Sequence, residues 1–165
     1  MSGVKTIDQL FVEELKDIYS AETQITKALP KLVKAATSEE LKTAFQSHLE
    51  ETEGQIERLD QIFETLGANP KGKTCEGMKG VLEEGEEMLK ETEQGGIRDA
   101  ALISAAQRVE HYEMAAYGAV RTYAEKLGRQ EFARLLEETL EEETAADKKL
   151  TQIAQKIQQQ ALRAA

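Results

Sequence analysis

Acidic side chains interrupt four stretches of this 165-residue sequence in which apolar residues otherwise recur at helical spacing. Each interruption lies near the middle of its stretch. Carboxylates bind divalent cations or carry protons, and an imidazole does either, so polar chemistry is expected at these positions. The candidates are Glu22, His48, Glu51, Glu110, Glu113 and Glu143. Two pairs among them are three positions apart, a spacing that places both side chains on one face of a helix.

Four long helices are predicted to carry these residues. The sequence is rich in good helix formers and poor in aromatic residues, which favours an all-α fold over a β-sandwich. The apolar periodicity gives approximate helix ranges of 7–35, 38–66, 98–127 and 130–158.

Local signals predict where these helices begin and end. Thr6 and Thr37 each precede a Gln or Glu by three residues, as in a capping box at a helix start. Gly67 and Gly128 follow the second and third helices and are expected to stop them. Pro30 lies inside the first helix and is expected to kink it or end it early.

A long connection over residues 67–97 separates the second and third helices. Its glycine- and lysine-rich start is expected to be a loop, and Val81–Glu93 a short, weakly amphipathic helix. Tight turns make the first two and the last two long helices antiparallel hairpins. One long crossover between two hairpins is typical of the ferritin-like four-helix bundle, whereas an up-down-up-down bundle has a short central loop. We therefore predict a single all-α, ferritin-like domain over residues 1–165.

The six candidates are expected to meet in one layer of the bundle core. Midpoints of antiparallel helices of similar length fall at one level, because each residue adds only about 1.5 Å of rise. Each unpaired buried carboxylate costs roughly several kcal/mol, so either some carboxylates are protonated or cations occupy the layer. No lysine or arginine falls on the inward positions of this register. Carboxylates with one imidazole suit iron or manganese better than zinc, which favours two divalent ions, Fe or Mn, as the cofactor.

Other interpretations of the same residues stay open. The sequence has 31 acidic residues, so several fall mid-helix by chance, and a run such as Glu141 to Glu143 is typical of a solvated helix face. His48 is equally compatible with a core histidine whose hydrogen bonds are satisfied. His111 lies about 100° around the helix from Glu110 and is expected to be peripheral. The coincidence of four interruptions at one level favours a metal or polar layer.

Composition restricts the partners and the compartment. The formal net charge of -10 repels nucleic acid. Cys75 is the single cysteine, so an internal disulfide is excluded and a reducing cytoplasm is favoured. The sequence has no apolar run long enough for a signal peptide or a membrane span. We expect a cytoplasmic protein without nucleic-acid or membrane partners, in which Cys75 is structural or incidental.

Four stretches carry a family resemblance: ELKDIYSAETQITKALPKL, FQSHLEETEGQIERL, RVEHYEMAAYGAV and LEETLEEETAADKKL. Together they resemble the YciE/YciF-type family of bacterial stress proteins in the ferritin-like superfamily, over about residues 5–157. The resemblance implies a ferritin-like fold, usually a homodimer, with a dinuclear metal site in the bundle. Carried over to this sequence, it implies the ligands Glu22, His48, Glu51, Glu110, Glu113 and Glu143, with Gln55, Tyr117 and Asp147 nearby.

One departure from the usual di-iron pattern concerns histidine. That pattern has Glu-x-x-His on two helices. Here the second helix carries the reverse order, His48-x-x-Glu51, and Glu143 is followed three residues later by Ala146. Fewer imidazoles make a harder, more carboxylate-rich site.

Three functions are compatible with these features. The first is a di-iron or di-manganese protein of the stress response that reacts with dioxygen or peroxide. Glu22 and Glu143 would be its terminal ligands, and Glu51 and Glu113 would be its bridging ligands. His48 would be its nitrogen ligand. Glu110 would be a third ligand on the third helix or a proton carrier. The second is a non-catalytic structural or interaction protein with a degenerate site. The third is iron storage, which needs a cage; a dimer is favoured over a cage.

Overall fold

Five α-helices make up the computed structural model, which describes residues 3–164. They are α1 (Ile7–Ala35), α2 (Glu39–Leu66), α3 (Glu76–Glu91), α4 (Gly96–Lys126) and α5 (Gln130–Ala164). The four long helices form a ring in which α1 packs against α2 and α4, while α5 packs against α2 and α4. The short helix α3 lies on α4 and α1. None of the helices within residues 3–164 has the length and apolarity needed to cross a membrane.

The helix ends agree with most of the local signals. Thr6 caps α1, because its hydroxyl accepts a hydrogen bond of 3.2 Å from the Gln9 amide. Gly67 ends α2 in the left-handed conformation, with φ of 61°, which glycine adopts without steric cost. Pro30 does not end α1, which continues to Ala35. At the other end of the chain, α5 extends past the predicted residue 158.

The start of α3 differs from the prediction. This helix begins at Glu76 rather than Val81, inside the segment that was expected to be a loop. Cys75 acts as the N-cap, since its sulfur accepts a hydrogen bond of 3.4 Å from the Met78 amide. The Met78 side chain is fully buried in the core, which fixes the first turn against the bundle. Tertiary burial thus overrides the high glycine content of this segment.

The start of α2 also differs from the prediction, because Ser38 rather than Thr37 is the N-cap. The Ser38 hydroxyl accepts a hydrogen bond of 3.4 Å from the Leu41 amide. The backbone amides of Thr37 and Ser38 donate to the two carboxylate oxygens of Asp99, at 2.7 and 2.8 Å. Asp99 is buried in the first turn of α4, so this carboxylate ties the α1–α2 turn to the second hairpin.

Asp99→Ala is expected to reduce the free energy of unfolding by about 2 kcal/mol, because two part-buried amide donors lose a charged acceptor. Asp99→Asn should cause a smaller loss, since one amide oxygen still accepts. Urea denaturation measures both effects, and Glu57→Ala, an exposed substitution on α2, is the control. Equal midpoints for Asp99→Ala and the control would contradict the assigned role.

Two apolar clusters fill the bundle from opposite ends. One contains Ile25, Phe45 and Leu150, and the other contains Phe11, Leu59 and Leu136. Polar side chains separate the two clusters in the middle of the bundle, and the buried ones are Glu22, His48, Thr52, Gln55, Glu110, Glu113, Thr139 and Glu143. The predicted polar layer is therefore present in the core.

Candidate metal centre

The inward faces of the long helices place the polar layer. On α1, Glu22 continues the buried series of Ile18 and Ile25 at spacings of four and three residues, so it occupies a core position of an ordinary amphipathic helix. On α4, Glu110 and Glu113 hold the same kind of position. Burial of these carboxylates therefore follows from helix geometry and from the apolar residues on either side of them.

Four buried residues form the tightest group. Each of His48, Glu110, Glu113 and Glu143 offers one ligand atom, and these four atoms all lie within 4.8 Å of one another. The Nε2 atom of His48 lies 3.3 Å from Glu110 Oε1 and 3.9 Å from Glu143 Oε2. Helices α2, α4 and α5 each contribute to the group, as the sequence predicted.

Glu22 joins this group from α1. Its carboxylate is fully buried and accepts a hydrogen bond from the Tyr117 hydroxyl, which is also buried. Burial first, and then the Glu143 carboxylate, raise the pKa of Glu22 to about 8 although the Tyr117 hydrogen bond opposes the shift. Tyr117, expected to lie nearby, thus contacts a candidate ligand directly.

Glu51 does not lie in the core layer where it was expected. Its side chain is 44 % exposed, and its Oε2 atom is 3.5 Å from His48 Nδ1. Three residues along a helix correspond to a rotation of about 300°, so Glu51 points about 60° away from His48. The buried residue in that turn is Thr52, four positions after His48. Glu51 therefore borders the group from the solvent side.

Gln55, also expected nearby, lies inside the layer and connects it to a part-buried ion pair. Its amide nitrogen donates to Glu143 Oε1 at 2.5 Å and to Glu142 Oε2 at 3.0 Å. Both guanidinium nitrogens of Arg58 in turn donate to Glu142, at 2.8 and 2.6 Å. Arg58 was not predicted to contribute to the site, because it lies at the edge of the inward face of α2. Its position three residues after Gln55 is the signal in the sequence that could have identified it.

Asp147 lies beside the layer rather than in it. It accepts a hydrogen bond of 3.0 Å from the Gln107 amide, and its Oδ1 atom is 3.2 Å from His111 Nε2. The His111 side chain is 64 % exposed, in keeping with its predicted peripheral position.

Proton affinities in the layer reflect the crowding of buried carboxylates. Burial, reinforced by neighbouring carboxylates, raises the pKa of Glu110 and of Glu113 well above the ordinary glutamate range. For His48, burial lowers the pKa, but the nearby carboxylates of Glu51, Glu143 and Glu22 outweigh it and raise the pKa overall. The layer therefore attracts protons or cations.

The donor set fits divalent metal ions. Within residues 3–164, several buried polar atoms of the layer have no hydrogen-bond partner, namely Glu22 Oε2, both ring nitrogens of His48, Gln55 Oε1, Glu110 Oε2, both carboxylate oxygens of Glu113, and Glu143 Oε2. Unpartnered buried acceptors are rare in proteins and are costly without a cation. Hard oxygen donors with one imidazole are ligands typical of iron and manganese. The chemistry of these residues is thus suited to such ions.

Comparisons with known proteins support the predicted family and fold of this chain. The family described as "Domain of unknown function (DUF892)" matches residues 6–163. Protein YciF of Escherichia coli K12 is 53 % identical over 153 residues, which are 92 % of each chain. The crystal structure of YciF, a stress protein, aligns with a TM-score of 0.90 and 52 % identity, covering 93 % of this chain and 98 % of YciF.

Two further structures resemble this chain. YcfI of Rhodopseudomonas palustris, for which a structural role has been suggested, aligns with a TM-score of 0.88 and 45 % identity over 91 % of this chain and 96 % of its own. Ferritin-like, diiron-carboxylate proteins from Bacillus anthracis align with a TM-score of 0.71 over 92 % and 99 % of the chains, at 16 % identity, which confirms the ferritin-like fold alone. Since the family match spans nearly the whole chain and YciF is a close relative, this chain belongs to the DUF892 family, and the predicted resemblance to YciF-type stress proteins is confirmed.

Proposed function

We propose that the polar layer binds two divalent metal ions, iron or manganese, and that the protein reacts with dioxygen or peroxide in a bacterial stress response. The observation that carries the proposal is the group of buried ligand atoms without hydrogen-bond partners, contributed by all four long helices. The stress-protein name of YciF supports the biological setting, and the diiron-carboxylate name of the Bacillus anthracis neighbour supports the class of metal site.

The candidate ligands divide by position. His48 would supply the nitrogen ligand, and Glu22 and Glu143 would be terminal ligands on α1 and α5. Glu113 is the best bridging candidate, because both of its oxygens are buried and unpartnered within the described chain. Glu51 would complete the site from its solvent side, next to His48.

Other residues of the chain prepare the site for this chemistry. Two reduced ions bound there would supply the electrons that reduction of dioxygen or peroxide requires. Tyr117 holds one oxygen of Glu22, and Gln55 holds one oxygen of Glu143, so each carboxylate keeps its other oxygen free. Glu110 can hold a proton at Oε2. The apolar clusters shield the layer from bulk water on two sides.

Metal titration tests the proposal directly. Anaerobic addition of ferrous iron to the purified protein is expected to saturate at two ions per chain, as measured by elemental analysis after gel filtration. Admission of oxygen should then produce an absorbance change linked to iron oxidation. A protein that retains no iron or manganese and shows no such change would refute the proposed function.

We further propose that the chain forms a homodimer, as the family resemblance implies. Sedimentation of a particle containing two chains of 18.4 kDa each is the expected result. A large multi-subunit cage would instead favour iron storage.

A non-catalytic structural role is the second candidate function. It is favoured by the single histidine of the layer and by the structural role suggested for YcfI. Under this alternative, the double substitution of Glu51 and Glu113 by Gln leaves stress protection in cells intact. Under the proposed function, the same variant loses that protection while the protein remains folded.

A further inference from the structure

A cavity of about 110 Å³, open to solvent at one end, lies against the candidate metal centre. His48 and Glu110 line its inner end and Glu51 its rim, so three candidate ligands form part of its wall. The remaining wall is mainly aliphatic and comes from all five helices, with Ile25, Phe45 and Leu150 among the buried residues. A mostly apolar cavity with a few polar groups at one end is typical of a small-molecule site.

A second cavity of about 40 Å³ extends the first beneath α3. The two share five wall residues, which are Ala28, Leu32, Leu82, Ala106 and Val109. Alanines at these and other wall positions create the space, because larger aliphatic residues there would fill it. An apolar cavity of about 150 Å³ in another protein stays dry and binds benzene. The combined space here is of that order and suits one aromatic ring or a short branched alkyl group.

The rim of the larger cavity lies between α2 and α5. Exposed Glu51, Ala145 and Lys149 line it, so a path from solvent leads past this rim toward His48. The rim carries one acidic and one basic side chain, which gives no net attraction for either sign of charge. The net charge of -10 further disfavours anions. These charges favour a neutral ligand.

We propose that this cavity binds a small, neutral, largely apolar organic molecule of about the size of one aromatic ring. Its inner end then lies against His48 and Glu110, which makes such molecules the substrate class of the candidate metal centre. The substrate assignment rests on the proposed function, whereas binding itself depends only on the cavity. The apolar walls supply the affinity through burial of the ligand surface.

Benzene is the probe for this site, and Ala→Leu substitutions are the test. Calorimetric titration of the full-length protein with benzene is expected to show saturable binding of one molecule per chain. Ala28→Leu and Ala106→Leu, which place a larger side chain into both cavities, should weaken binding at least tenfold. Ala115→Leu, on the exposed face of α4, is the matched control and should bind as the wild type does. Iodobenzene diffused into crystals should show its iodine between the Ala28, Ala106 and His48 side chains.

Several outcomes would overturn the inference. They are absence of saturable benzene binding by the wild-type protein, equal weakening in all three Ala→Leu variants, and iodine density outside the cavity. If a filling variant fails to fold, Leu32→Ala decides, because the enlarged cavity must then bind naphthalene more tightly than the wild type does.

The proposed function can fail separately from this inference. Benzene titration in the presence of a chelator reports the cavity alone, and metal titration of Ala28→Leu reports the metal centre alone. Benzene binding without metal binding would refute the metal function and leave the ligand site standing. Binding of two metal ions without binding of benzene would refute the ligand site and leave the metal function standing.

Discussion

Glu113→Gln is expected to stabilise the metal-free protein at pH 7, by on the order of 2 kcal/mol, and to abolish binding of at least one metal ion. Glu113 is buried among Glu22, Glu143 and Glu110, and both burial and these charges raise its pKa. Because the pKa of Glu113 is raised in the fold, the folded metal-free protein holds a proton at this carboxyl group more tightly than the unfolded chain does. Folding must therefore take up a proton, and this reduces stability.

Glutamine removes this coupling between folding and proton uptake, because its side chain does not titrate. A raised pKa in the folded state gives stability that is present below the unfolded pKa and is lost as pH rises. The advantage of Glu113→Gln should therefore vanish below about pH 4.5, where Glu113 is protonated in both states, and grow as pH rises above it. Loss of metal binding has a separate cause: the amide offers one neutral oxygen where the carboxylate offers two charged ones.

Urea denaturation at pH 4.5 and pH 7 measures the stability change, and metal titration measures the loss of binding. Glu57→Gln removes one negative charge from an exposed position of α2 and is the control, with little change in either measurement. Destabilisation by Glu113→Gln at pH 7, with unchanged metal binding, would mean that the Glu113 carboxylate is stabilised by partners within the fold.

The metal-free wild-type protein is expected to lose several kcal/mol of stability, as an order of magnitude, between about pH 4.5 and pH 8. This pH range follows from Glu22, because burial raises the pKa of its carboxyl group from an ordinary value of 4.5 to about 8. His48 changes stability in the same direction, since its pKa is also raised and its favourable charge is lost as pH rises. Both groups thus favour the folded state more at low pH than at high pH.

Manganese should reverse this loss, because two divalent ions neutralise carboxylates that otherwise repel one another. At a free manganese concentration of about one hundred times the dissociation constant, a single bound ion increases the free energy of unfolding by roughly 2.7 kcal/mol. For a chain of this size, this corresponds to about 5–10 °C in melting temperature. The increase should be larger at pH 8 than at pH 5, where protons compete for the same oxygens.

Scanning calorimetry with chelator and with manganese at both pH values tests this expectation. Glu113→Gln is the matched variant, in which manganese should raise the melting temperature much less. A wild-type melting temperature that rises from pH 5 to pH 8 in chelator would contradict the argument, because it would require carboxylates paired with cations of the chain itself.

Four long helices and most of the core layer could be predicted from the amino-acid sequence alone. Apolar periodicity predicted four long helices and placed Glu22, Glu110, Glu113 and Glu143 on inward faces, where the structure has them buried. This works because helical side chains repeat every 3.6 residues, so a polar residue inside an apolar series is committed to the core. Whether these residues bind metal stays a prediction.

The contacts among the polar residues depend on how the helices pack and could not be predicted from the sequence. A spacing of three residues leaves Glu51 about 60° from His48, and packing against α5 selects Thr52 and Gln55 as the inward residues instead. The contact of Asp99 with the α1–α2 turn and the hydrogen bond from Tyr117 to Glu22 join residues 61 or more positions apart. Such contacts depend on how far the helices are rotated and shifted against one another, which the periodicity of a single helix does not specify. The cavity beside His48 has the same origin, because its volume depends on how alanines from several helices face each other.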